Sequence, residues 1–321
     1  MTPKPNLTGK TRYVLKFRFG GSDYPQNFFH YMLGYALPGF YEIDQLSKNT
    51  LKSDLHLFIE DWGPIMNEKF SELLNLYQIS HSILNSDTPK NSETEVLYAE
   101  RWDDYLGTKQ YFKTASLLLK IKLLVKMALP GKANPAYLLR GRKIIKNIRS
   151  TRTGILNLLQ QHQETMTESP KPYLFLQRVD ESDKYNIQKK FGKGFDYGKV
   201  RRSLQGIDAA CTKLQGMGYD IEQYTPGNEN LLQQIRCFHN AHTVISIRGA
   251  ELANVFWMKP QSKAIVIDNF GGVGAKTSPA TVLADILDVN YCKIKVDTIK
   301  HPKIDQELFG TIVKKLKLKH A

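Results

Sequence analysis

The sequence is short of cysteine. Its three, Cys211, Cys237 and Cys292, are too few and too scattered for a disulfide framework, and none stands in a Cys-x-x-Cys or Cys/His pair of metal-ligand spacing. Structural zinc is not expected, and a reducing, cytoplasmic setting is. Long apolar runs are also missing. No stretch reaches the roughly 18 uncharged apolar residues of a membrane span, and the opening MTPKPNLTGKTRYVLKFRF lacks the apolar centre of a secretory signal. Neither secretion nor membrane insertion is expected, so the sequon Asn6-Leu7-Thr8 reads as chance. Negative charge is absent from one whole region: Tyr105 to Gln163 contains no Asp or Glu.

What that region does contain is Lys109, Lys113, Lys120, Lys122, Lys126, Lys132, Arg140, Arg142, Lys143, Lys146, Arg149 and Arg152. Together with a formal charge of +14, this suits an anionic partner: nucleic acid, lipid headgroups or a phosphorylated small molecule. In SLLLKIKLLVKMALPGK, Lys120, Lys122 and Lys126 interrupt leucines as in a basic amphipathic helix. Such a helix either lies on the anionic inner face of a membrane or packs on the protein with its charged side in water. Aromatics are not interleaved with these basic residues as a single-strand stacking platform needs, and no nucleic-acid module is recognisable, so nucleic acid is the weaker partner class.

A hydrophobic content of 41% over 321 residues supports packed cores. Composition shifts near TMTESPKPYLFLQ, where Ser, Pro and Lys precede a new apolar run, which places a linker at about residues 165–171 and divides the chain into residues 1–168 and 169–321. The second part alternates strand-like YLFLQ, DIEQY, TVISI, KAIVID and CKIKV with helical VRRSLQGIDAACTKLQGMGY, NENLLQQIRCFHNA (capped by Asn228), AELANVFW, SPATVLADILDV and DQELFGTIVKKLKLKH. Such alternation predicts an α/β fold with a parallel, doubly wound sheet. In the first part, RYVLKFRF, DLHLFIED and ISHSIL read as strands. QNFFHYMLGYALPGF, PIMNEKFSELLNLY, KTASLLLKIKLLVKMAL and RGRKIIKNIRSTRTGILNLLQQH read as helices, giving a second α/β unit with basic helical additions.

The stretch TVISIRGAELANVFWMKP sets Arg248, Gly249, Ala250 and Glu251 at the exit of a buried strand. Small residues admit a ligand to the backbone, the following helical turn offers N–H groups, and Arg248 adds a cation: a cradle for a diphosphate. The alternative is an ordinary strand-to-helix turn whose Arg and Glu pair with each other. Phe256, Trp257 and Met258 read as core, and Gly271-Gly272-Val273-Gly274 lacks the register and the lysine of a phosphate loop.

The run from Ala241 to Asp268 resembles the signature of the family 61 glycosyltransferases through Gly249, Ala250, Asn254, Phe256, Pro260 and Asp268, with Arg248 at a usual histidine. Arg178 and Asn186 keep the spacing of a further family motif, with Ser182 where a second Arg is common. Gln234 matches the glutamine before the Gly-Ala strand. In GGSDYPQNFFHYMLGYALPGF, Asn27, His30 and Pro38 match an Asn-x-x-His segment, while Gly34 stands where an aspartate is usual.

The resemblance implies a GT-B arrangement, two Rossmann-like lobes facing a cleft. The acceptor would lie on the side of residues 1–168, with Asn27. The nucleotide-sugar would be held by residues 169–321, through Arg178, Asn186, Gln234, Arg248, Gly249, Ala250, Asn254 and Asp268, and the last helix is expected to pack back towards the first lobe. It also implies inverting transfer to a saccharide or lipid-linked saccharide with no cofactor and no essential metal, and no Asp-x-Asp pair occurs to hold one. Candidates for the base are His30, Asp23 and Glu251; His30, beside Phe28, Phe29 and Tyr31, reads equally as a buried structural histidine. The competing readings are a protein that binds nucleic acid or another anionic surface, and a family member that binds nucleotide or saccharide without catalysis.

Overall fold

A computed structural model describes residues 11–18, 28–84, 94–103, 105–107, 141–161, 171–180, 183–184, 186–187, 198–268, 278–297 and 300–317. Strands β1 (Thr11–Arg18), β2 (Leu55–Ile59), β3 (Ser80–Ile83) and β4 (Thr94–Glu100) form a parallel sheet in the order β3-β2-β1-β4. Strands β5 (Tyr173–Leu176), β6 (Ile221–Tyr224), β7 (Thr243–Ile247), β8 (Lys263–Asp268) and β9 (Asn290–Lys295) form a second in the order β6-β5-β7-β8-β9, also parallel throughout. Every residue of β2, β7 and β8 is buried, as expected for central strands covered on both faces, which is why apolar residues dominate them. β2 includes a histidine nonetheless: His56 is satisfied inside the sheet by the Ser80 and Ser82 hydroxyls at 2.8 and 3.1 Å.

In the first half, α1 (Phe28–Tyr31) runs through a π-helical turn, Met32–Ala36, into α2 (Leu37–Leu46), and α3 (Pro64–Leu76) links β2 to β3. α4 (Gly141–Gln161) is the second of the two basic helices expected; the first, with Lys120, Lys122 and Lys126, lies outside the described residues. β4 had no counterpart among the expected strands. It is an edge strand with Val96 and Tyr98 about 42% and 45% exposed, so its apolar residues do not stand out as a buried run.

In the second half, α5 (Ile207–Gly216) starts later than its helical pattern suggests: a short helix, Gly198–Arg201, ends first, Gln205 bridges to Lys303, and Gly206 with φ +83° turns the chain into α5. α6 (Leu231–Asn240) is capped by Asn230 rather than Asn228: the Asn230 side chain accepts from the Gln233 N–H at 2.7 Å. Asn230→Ala is therefore expected to cost about 1 kcal/mol of stability in chemical denaturation, and Asn228→Ala much less. AELANVFW forms a 3-10 helix, Ala250–Trp257. α7 (Pro279–Leu287) is capped by Ser278. The last helix, α8 (Gln306–Lys317), was expected to turn back to the first half; Leu308 and Ile312 instead seat it on the second sheet with Phe175, Ile265 and Ile294.

One apolar cluster runs through both halves, from Leu15, Leu33 and Phe70 to Val244, Phe256 and Val266. α1 packs against the 3-10 helix and α3 against α6. Polar contacts reinforce the junction. Buried Lys69 donates to the Glu229 carbonyl at 2.8 Å, and Glu72 accepts from the Leu231 N–H at the start of α6. Two arginines of the acid-free region have structural work: Arg149 Nε donates to the Ile286 carbonyl at 3.0 Å, and Arg152 Nε to the Phe256 carbonyl at 2.8 Å, satisfying carbonyls at helix ends.

Candidate active site

In an open parallel sheet the strand order reverses at one point, and the carboxyl ends of the two strands there part to leave a crevice. In the second sheet that point lies between β5 and β7. Arg178 follows β5 by two residues, and Arg248 and Gly249 follow β7 directly. The Arg178 side chain is 7% exposed, and its Nη2 donates to Glu251 Oε2 at 2.8 Å. Gly249 is required for that approach: a Cβ at this position would overlap Arg178 Nη2 and lie 2.8 Å from Cζ. Arg248 turns to the next strand end, where its Nη1 lies 3.3 Å from Asp268 Oδ1, and Lys293 pairs with the same carboxylate. The pairing of Arg248 with Glu251, open from the sequence, is replaced by two separate pairs. Arg178 also does not pair with Asp180, which Lys199 holds at 2.9 Å.

Beside Arg178 opens a cavity of about 520 Å3, lined by Lys69, Arg178, Lys184, Lys199, Asn228 and Glu229 among others. Its walls come from α3 on one side and from the ends of β5 and β6 on the other. That volume suits a compact organic ligand, and the lysines and arginine favour an anionic one, although Lys184 and Lys199 are paired in this state with Glu68 and Asp180.

The first sheet reverses its order between β1 and β4. These strands pair in register to their last residues, Arg18 with Glu100. His30, on α1 after β1, places Nδ1 2.9 Å from Oδ2 of Asp103, three residues past β4. Arg101 grips the same carboxylate with Nε at 3.1 Å and Nη2 at 2.6 Å, and donates from Nη1 to the Tyr35 hydroxyl at 3.2 Å. Arg101 and Asp103 are buried, while the His30 side chain is one-third exposed. Burial works against the Asp103 carboxylate, but the hydrogen bonds from His30 and Arg101 outweigh it and hold its pKa below the usual carboxylate range. Removing one partner of so buried a pair costs about 3–5 kcal/mol.

α1, which carries His30, packs against the 3-10 helix Ala250–Trp257 that follows β7. An imidazole backed by a carboxylate stands at one strand-order reversal, and two guanidinium groups stand at the other. A family model described as Glycosyltransferase 61 matches residues 28–265. The chain belongs to glycosyltransferase family 61. As a family member it is a transferase that handles a glycosyl donor and an acceptor. A comparison with curated proteins returned no match.

Among the residues expected to serve this transferase, Arg178, Arg248, Gly249, Ala250, Glu251 and Asp268 gather around the β5, β7 and β8 ends. Gln234 and Asn254 are buried side by side: Asn254 Nδ2 donates to Gln234 Oε1 at 3.1 Å, and Gln234 Nε2 donates to the Pro226 carbonyl at 2.7 Å and the Glu229 carbonyl at 3.1 Å. They hold the loop that lines the cavity. Asn186 is exposed on a short helical segment. Phe256, Trp257 and Met258 are core residues. His30 is not buried in the manner of His56, whose two ring nitrogens both end on hydroxyls within the sheet.

Asp23, Asn27, Ser182 and the Gly271-to-Gly274 loop lie outside the described residues. Sequence reasoning passed over Arg101, Asp103 and Lys69. The signal for the first two is ETEVLYAERWDD, a strand pattern ending in arginine and aspartate. Among the described residues, no three His, Cys, Asp or Glu side chains gather as metal ligands, and no helix is long and apolar enough to cross a membrane.

Proposed function

We propose that this family 61 member is an inverting hexosyl- or pentosyltransferase of GT-B arrangement, moving a sugar from a UDP-sugar to a glycan or lipid-linked saccharide acceptor in surface polysaccharide or glycan synthesis, without a metal. The reading is supported by two strand-order reversals, one presenting His30 and the other Arg178 and Arg248, with α1 packed on the 3-10 helix that follows β7. The diphosphate lies over Gly249 within reach of the two guanidinium groups, which neutralise charge as it develops on the leaving group. His30 takes the proton of the acceptor hydroxyl, the acceptor oxygen forms its bond to the anomeric carbon from the opposite face, and the bond from that carbon to the β-phosphate oxygen breaks. Its electron pair departs with the nucleoside diphosphate. One displacement inverts the centre. Glu251 is engaged by Arg178 in the resting state, which leaves His30 the better-placed base. A diphosphate oxygen would take over the place of Glu251 against Arg178.

Calorimetric titration of UDP with chelator present is expected to show saturable micromolar binding, corresponding to about −8 kcal/mol. Absence of saturable binding would remove the UDP-sugar assignment. Binding that appears only on adding a divalent ion would remove metal independence.

A further inference from the structure

We infer that Asp103 is a positioning residue for His30, supplying from the end of β4 the carboxylate that position 34 lacks. The inference rests on His30 acting as the base. Gly34 lies in the π-helical turn Met32–Ala36, and a Cβ built on it would stand 2.6 Å from Asp103 Oδ1 and 2.9 Å from Cγ. No side chain at 34 can therefore coexist with Asp103 as it is held. The bonds to Arg101 and His30 keep the carboxylate from swinging aside. Arg101 is in turn fixed by Tyr35, with its guanidinium carbon 4.9 Å from the centre of that ring as well as bonded to its hydroxyl. Tyr35 is the residue after Gly34, so the same turn that makes room for the carboxylate also anchors the arginine that orients it.

The chemical consequence follows from the side of the ring engaged. With Nδ1–H donating to Asp103 Oδ2, Nε2 is the basic nitrogen of the neutral imidazole and the one that takes the acceptor proton. Protonation makes an imidazolium beside a carboxylate that stays ionised, and the proton remains on Nε2. Asp103 touches neither donor nor acceptor and acts only through the ring. Arg101 keeps that carboxylate ionised and in one orientation despite its burial.

The deciding measurement is the tautomer of His30 in the full chain, read from nitrogen chemical shifts of 15N-labelled protein at a pH where those shifts themselves show a neutral ring, with His30→Gln identifying its signals. The expected result is the Nδ1–H form in the wild type. In Asp103→Asn the amide N–H2 must face a donor of either Arg101 or His30 and the remaining acceptor is uncharged, so the preference of the ring for the Nδ1–H form is expected to fall. In the same variant, UDP release from a panel of UDP-sugars with water as acceptor is expected to fall by about 100-fold in kcat with KM within about threefold. An Nε2–H tautomer in the wild type overturns the inference, and so does an Asp103→Asn enzyme with kcat within threefold of wild type. Should that variant fail to fold, the wild-type tautomer alone decides. Absence of UDP binding and of UDP release in the wild type would sink the UDP-sugar reading and leave the tautomer result standing, so the two failures are distinguishable.

Discussion

His30→Ala is expected to lower turnover by about 10²–10⁴-fold while UDP affinity stays within about twofold of wild type. The range is what a positioned general base contributes to proton transfer. Binding should survive because His30 belongs to the first sheet's crevice, whereas Arg178 and Arg248, the groups proposed to hold the diphosphate, follow strands of the second. Folding should survive because the imidazole is one-third exposed and Asp103 retains both bonds from Arg101. UDP release, UDP calorimetry and a thermal melt separate these effects. A variant that turns over at the wild-type rate ends the role of His30 as base, and one that loses UDP binding in proportion to rate shows that the histidine contributes to binding instead.

Gly249→Ala is expected to weaken UDP binding by about 30-fold or more, equivalent to roughly 2 kcal/mol, the scale of one lost hydrogen bond to a charged group. The added methyl falls on the Arg178 guanidinium and also presses on Glu251 Oε2, so the arginine must leave the floor of the crevice. Backbone conformation is not the obstacle: Gly249 has φ −172°, an extended value open to any residue. The effect should therefore depend on Arg178. In an Arg178→Ala background, itself weakened by a similar factor, Gly249→Ala should cost little further, because the group it displaces is gone. Calorimetry of the four proteins measures this coupling. Additive losses would mean that Gly249 acts through backbone contact with the ligand rather than through the arginine.

Several elements were legible from local pattern because burial and pattern coincide there. TVISI and KAIVID correspond to β7 and β8 residue for residue, since a strand covered on both faces is dominated by β-branched and aliphatic residues. Strand ends were the informative places for the site as well. Arg178, Arg248 and Gly249 could be singled out because a cation and a small residue directly after a buried strand stand where parallel sheets receive their ligands. β4 escaped notice for the converse reason: an edge strand with Val96, Tyr98 and two glutamates carries no continuous apolar signature. With it went Arg101 and Asp103.

By itself, then, the sequence determined the α/β class, the parallel second sheet, membership of a glycosyltransferase family and the positions at which cations meet a strand end, because each depends on residues adjacent in the chain. Tertiary structure decided the partners. Arg178 pairs with Glu251 and Arg248 with Asp268, although Arg248 and Glu251 are the near neighbours in sequence. His30 meets Asp103 across 73 positions, and Gly34 is accounted for only by the carboxylate beside it. The physical reason is strand order. β4 inserts next to β1 rather than β3, and β7 next to β5 rather than β6, and these choices are settled by the packing of whole sheets and helices, which no local run of residues encodes.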